Sequence, residues 1–66
     1  MNPLYPNLQA RMANRGVTVE ALAGIIGLSE DVVYKKLEGV LEWTLTEAVA
    51  ICRFLEHPDL RVLFLR

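Results

Sequence analysis

Only a few residues in this 66-residue chain have side chains suited to chemistry, and most are arranged so that bond-making is excluded. His57 is the single histidine and is followed by Pro58, so it reads as a solvent-facing residue at a helix end, not a general base. Cys52, the single cysteine, falls on an apolar helical stripe and reads as an inert core thiol. One histidine and one cysteine make no metal-ligand cluster. Gly24 and Gly27 lack the spacing, and any preceding strand, of a loop that cradles phosphates. The expectation is therefore a protein that is not an enzyme, with no cofactor, no metal and no evident small-molecule substrate. What remains is a dense polar run, Ser29, Glu30, Asp31, Tyr34, Lys35 and Lys36, whose hydroxyls, carboxylates and ammonium groups can donate and accept hydrogen bonds.

That run lies inside the stretch TVEALAGIIGLSEDVVYKKLEG, residues 18–39, which reads as two short helices joined by a tight corner. Thr18 is a cap for the first helix, and Leu22, Ala23 and Ile26 make its apolar stripe. Gly27 stops it, because glycine enters the left-handed conformation without steric penalty. Ser29 caps the second helix, and Glu30 and Asp31 suit its positive end, each contributing about 0.3–1 kcal/mol there. Val33 and Leu37 form its buried seam, and Gly39 ends it. Helix, glycine corner and second capped helix make a helix-turn-helix, whose second helix enters the DNA major groove in many regulators.

Small Ala23, Gly27 at the corner, Leu28 after it, Val33, and the VYKKLEG ending resemble the helix-turn-helix of phage repressor and Cro-type proteins, the xenobiotic-response-element family. NLQARMANRGVT before the motif resembles that family's first helix and WTLTEAVAICRFL after it the fourth, so the likeness covers roughly residues 6–65. The resemblance implies that residues matching Ser29, Glu30, Asp31, Tyr34 and Lys35 face base edges. Ser29 would donate or accept, Glu30 or Asp31 would accept from a cytosine amino group, and Tyr34 and Lys35 would reach phosphate or a base edge. Two departures matter. Val19 stands where the family commonly has a phosphate-binding Gln, and Val40 and Leu41 stand where the following loop is often basic. Both remove backbone anchors, leaving Lys35, Lys36, Arg11 and Arg15; four such contacts would give a log–log salt slope of roughly −3.6 per monomer.

Composition sets the frame. Seven Lys and Arg against eight Asp and Glu leave a net charge of −1, whereas dedicated DNA-binding domains usually carry a positive surplus. A chain this short buries only about 60% of its unfolded surface, and a lone cysteine supplies no intrachain disulfide, which suits a reducing cytoplasm. No apolar run approaches the roughly 18 residues of a membrane span, and MNPLYPNLQ does not read as a secretory signal.

The rest of the chain reads as helix. An arm covers residues 1–5, with helices at about 6–15, 18–26, 29–38, 45–56 and 58–65. Leu8 and Met12 face inward from the first. The fourth opens with a capping box, Thr44 to Glu47, and carries the stripe Leu45, Ala48, Val49, Cys52 and Leu55. Pro58 opens the fifth, which folds Leu60, Leu63 and Phe64 over the core. Apolar residues remain in surplus, and Trp43 beside Val40 and Leu41 reads either as an anchor for a dimer or partner, or as a cover for the base of the core.

The expected fold is all-α, a single five-helix phage-repressor-like domain over residues 1–66 with the helix-turn-helix formed by helices 2 and 3. The expected function is sequence-specific binding of duplex DNA by a phage- or prophage-type regulator, a cytoplasmic repressor acting as a homodimer. Its rival is a protein-interaction module on the same fold with a degenerate DNA face.

Overall fold

The computed structural model describes residues 4–66, so the first part of the expected N-terminal arm, residues 1–3, lies outside the described residues. Five α-helices follow one another: α1 (Pro6–Arg15), α2 (Val19–Ile26), α3 (Glu30–Leu37), α4 (Leu45–Phe54) and α5 (Leu60–Leu63). No strand occurs among the described residues, and no helix among them is long and apolar enough to cross a membrane.

The boundaries are set by local hydrogen bonding. Pro6 sits at the start of α1, where its missing N–H costs nothing. Thr18 Oγ1 accepts from the Ala21 N–H at 3.2 Å and Ser29 Oγ from the Val32 N–H at 3.4 Å, each relieving a stranded donor. At α4 the capping box is reciprocal: Thr44 Oγ1 accepts from the Glu47 N–H at 3.1 Å, and Glu47 Oε1 from the Thr44 N–H at 3.0 Å. Gly27 turns the chain out of α2 with φ +71°, and the Leu28 N–H reaches back to the Ala23 carbonyl at 3.0 Å. Gly39 does the same for α3 at φ +82°, and a Cβ there would come within 2.5 Å of Leu4 Cδ2.

The end of α4 departs from the expectation. The helix stops at Phe54 instead of running to 56, and Glu56 adopts φ +54°, the one left-handed residue other than glycine among the described residues. Such a backbone costs a side-chain-bearing residue about 1–2 kcal/mol. It is held by Arg11, whose Nε and Nη2 donate to the Leu55 and Glu56 carbonyls at 3.1 and 3.0 Å, and by Arg15, whose Nη2 meets Glu56 Oε2 at 2.9 Å. Pro58 does not open α5. Asp59 does, its Oδ1 accepting from the Arg61 and Val62 N–H groups at 3.0 and 3.3 Å, so the helix starts at Leu60. A short carboxylate that can bond the backbone two and three residues on competes with helix at its own position and starts one just after it.

The core joins Tyr5, Leu8 and Met12 with Leu22, Val33, Leu37, Ile51, Leu55 and Leu63. α2 packs on α3 and α4, and α5 closes against α1 and α4. Within α4 the inward stripe is Ala48, Ile51, Cys52 and Leu55, while Leu45 is 71% exposed and Val49 lies on the surface, which corrects the expected stripe. The rotation follows from Glu47, which turns toward α3 and carries Ile51, one turn on, into the core.

Glu47 turns that way to meet Lys36. This lysine is only 6% exposed. Its Nζ donates to Glu47 Oε1 and to the Glu42 carbonyl, both at 2.8 Å, and lies 5.7 Å from the centre of the Trp43 ring. Burial pushes the Glu47 carboxyl up, but the hydrogen bonds from Lys36 and from the Thr44 N–H, with the lysine's charge, outweigh it and hold the group below its ordinary value. The folded chain therefore binds that proton less readily than the unfolded chain. The associated stability is present above the ordinary carboxylate range and is lost as pH falls through the lowered folded value. Replacing Lys36 by Met strands a buried carboxylate and is expected to destabilise the fold by about 3 kcal/mol. Urea titrations should show that loss at pH 7, with a smaller difference between variant and parent below about pH 4.

Candidate nucleic-acid interface

Because Val33 and Leu37 face the core, the opposite side of α3 is left to solvent. Ser29, Glu30, Asp31 and Lys35 are exposed, and Tyr34 is 50% exposed. The structure thus brings these five of the six expected site residues onto one continuous outer face. The start of α2 lies beside it in the motif, with Thr18 and Glu20 exposed and Val19 half-buried. The acidic pair at the beginning of α3 sits where the helix end is positive, and Lys35 lies in its last turn, so both signs suit the dipole.

Lys36 is a correction. It was expected on the same face as a phosphate anchor, but its ammonium is enclosed by Glu47, the Glu42 carbonyl and Trp43. Reaching a phosphate would break a buried ion pair. Arg11 and Arg15 are likewise engaged, bonded to the end of α4 through Leu55 and Glu56. Arg66 donates from Nε to the Tyr5 hydroxyl at 3.1 Å and from Nη2 to Glu42 at 3.5 Å. Of the seven cations in the chain, Lys35, Arg53 and Arg61 are exposed with no intramolecular partner among the described residues.

The face is therefore acidic. Glu20 on α2 and Glu30, Asp31 and Glu38 on α3 are exposed, and Lys35 is the one lysine there outside an ion pair. Glu38 and Glu20 were absent from the expected site. The signal for Glu38 was available in its spacing, since it follows Tyr34 by one helical turn and must share its side of α3.

Trp43 is the second correction. It does not stand out with Val40 and Leu41 as a free anchor. Its ring packs edge-on against Phe64 and Tyr5, with centroids 5.5 and 6.4 Å apart, so it covers the base of the core. Its Nε1 is buried without a hydrogen-bond partner. Val40 and Leu41 remain at the surface, 66% and 40% exposed. Cys52 is buried, its thiol 3.0 Å from the His57 carbonyl, and His57 is half-buried with Nδ1 accepting the Asp59 N–H at 3.1 Å. No group of three or more His, Cys, Asp or Glu among the described residues could hold a metal ion.

The sequence pattern of the Cro/C1-type HTH DNA-binding domain matches residues 7–57, from α1 through the end of α4. The chain belongs to that family, and its helix-turn-helix is the family's DNA-binding element. Comparisons with curated proteins and with solved structures returned no match.

The cap of α3 is the simplest local test of this face. Ser29→Ala removes the acceptor for the Val32 N–H and is expected to lower stability by about 1 kcal/mol, read as a lower melting temperature by circular dichroism.

Proposed function

We propose that the chain is a sequence-specific regulator of duplex DNA, a cytoplasmic repressor of phage or prophage type that reads its operator through the outer face of α3. The observation that carries this reading is the exposure of Tyr34 and Lys35 on a helix whose other side is locked to the core by Val33, Leu37 and Lys36. Glu30 and Asp31 accept from cytosine amino groups, Ser29 and Tyr34 supply hydroxyls, and Lys35 meets phosphate or a base edge. The described residues extend over 26 Å and carry one helix-turn-helix, whereas half-sites lie about 34–36 Å apart, so reading two of them takes two copies. Val40 and Leu41, exposed on the loop after α3, supply the apolar contact of that homodimer.

A face with one free lysine among four carboxylates has little affinity for DNA of arbitrary sequence. That charge balance is also what favours the second reading, a protein-interaction module whose DNA face has degenerated. Duplex titrations at two salt concentrations separate them. The DNA reading expects a log–log slope near −0.9 per protomer, from a single phosphate contact, in place of the steeper slope that four cations would produce. It also expects Lys35→Glu to abolish binding while the chain stays folded by circular dichroism, with only the small fall in melting temperature that an acid at a helix C-terminus brings. Failure to recover any bound sequence from a random-sequence duplex pool at low salt would leave the interaction module.

The homodimer has its own check. Val40→Ser with Leu41→Ser is expected to shift the sedimentation profile toward monomer while helicity is retained; an unaltered profile removes the loop from the contact.

A further inference from the structure

An open groove of about 1050 Å³ runs between α1, the corner before α2, and α3. Its volume is at the upper end of what small-molecule sites occupy, about 300–1,000 Å³. Met12, Val17 and Leu37 make its apolar wall, and Tyr34 and Glu38 stand on its rim. We propose that this groove binds a small organic cation with an apolar body, and that such a ligand competes with DNA for the outer face of α3. The second clause rests on the DNA reading; the first does not.

The sign of the charge comes from what lines the groove. No lysine or arginine does, and the one ionisable carboxylate is Glu38, which is exposed and has no ion-pair partner among the described residues. Glu38 is also the cap at the C-terminal end of α3, the negative end of the helix dipole. Tyr34 precedes it by one helical turn and presents a half-exposed aromatic ring. An aromatic face beside a carboxylate, backed by an apolar wall, suits an alkylammonium: the ring attracts the cation, the carboxylate balances it, and the wall takes the hydrocarbon. The other open groove, between α4 and α5, is lined by Arg61 and Arg66 as well as Glu42 and lacks this one-signed character.

The link to DNA is positional. Tyr34 lines the groove and neighbours Lys35, so an occupant resting on the ring stands where the duplex would approach α3. Coupling of this kind is reciprocal: DNA must weaken the cation by the factor that the cation weakens DNA.

The test is an amide-shift titration of the full chain with hexyltrimethylammonium, alongside hexanoate and 1-hexanol. The cation alone should move the amides of Gln9, Ala13, Val17, Tyr34 and Glu38 saturably. Glu38→Gln should weaken it by about three- to fivefold, and Tyr34→Leu should weaken it by about threefold or more. Both side chains are exposed, and circular dichroism verifies that each variant is folded. Equal shifts with hexanoate or hexanol, shifts centred on Leu45 and Leu65 instead, no saturable shift, or unchanged affinity in Glu38→Gln would each overturn the cation site. A labelled duplex supplies the second arm. Release of bound duplex by the cation supports competition, and a saturated groove with duplex still bound overturns it. A random-sequence duplex pool that yields no bound sequence at low salt overturns the DNA reading, and the competition with it, while the amide titration still decides the groove.

Discussion

The geometry of this chain depends on one buried ammonium. α3 has eight residues, too few to persist alone in water, and two apolar side chains to anchor it. Lys36 adds what those two cannot. It joins α3 to the capping box of α4 through Glu47, holds the intervening loop through the Glu42 carbonyl, and lies against Trp43. A buried ion pair of this kind contributes little net stability, because desolvation offsets attraction, but losing either partner is expensive. It fixes Glu47 on the side of α4 that also carries Ile51, one turn on, into the core, while Leu45 is left exposed.

The same interaction bears on the charge of the outer face of α3. Cations that could have met phosphates are committed to holding the fold together. Lys36 locks α3, and Arg11 and Arg15 stabilise the left-handed Glu56 where α4 ends. An acidic outer face on α3 follows from that allocation.

The acidic face and the groove beside it share residues. Tyr34 belongs to both, and Glu38 closes one end of the groove while adding to the charge that repels phosphate.

The sequence by itself determined the elements that depend on near neighbours. Thr18, Ser29 and Thr44 mark their helices because a cap is a bond between residues three apart, and Gly27 marks the corner because its backbone needs a left-handed φ. The exposure of Ser29, Glu30, Asp31, Tyr34 and Lys35 was legible too, since Val33 and Leu37 choose the buried side and the helical repeat assigns the other. The tertiary structure alone decided which lysine was free, which stripe of α4 turned inward, and where Trp43 and Glu56 came to rest. Lys35 and Lys36 are neighbours of one type, but one helical step carries the second to a carboxylate eleven residues away. Periodicity marks out a helix's apolar side; its final rotation is chosen by the groups packed against it, and those arrive from distant parts of the chain.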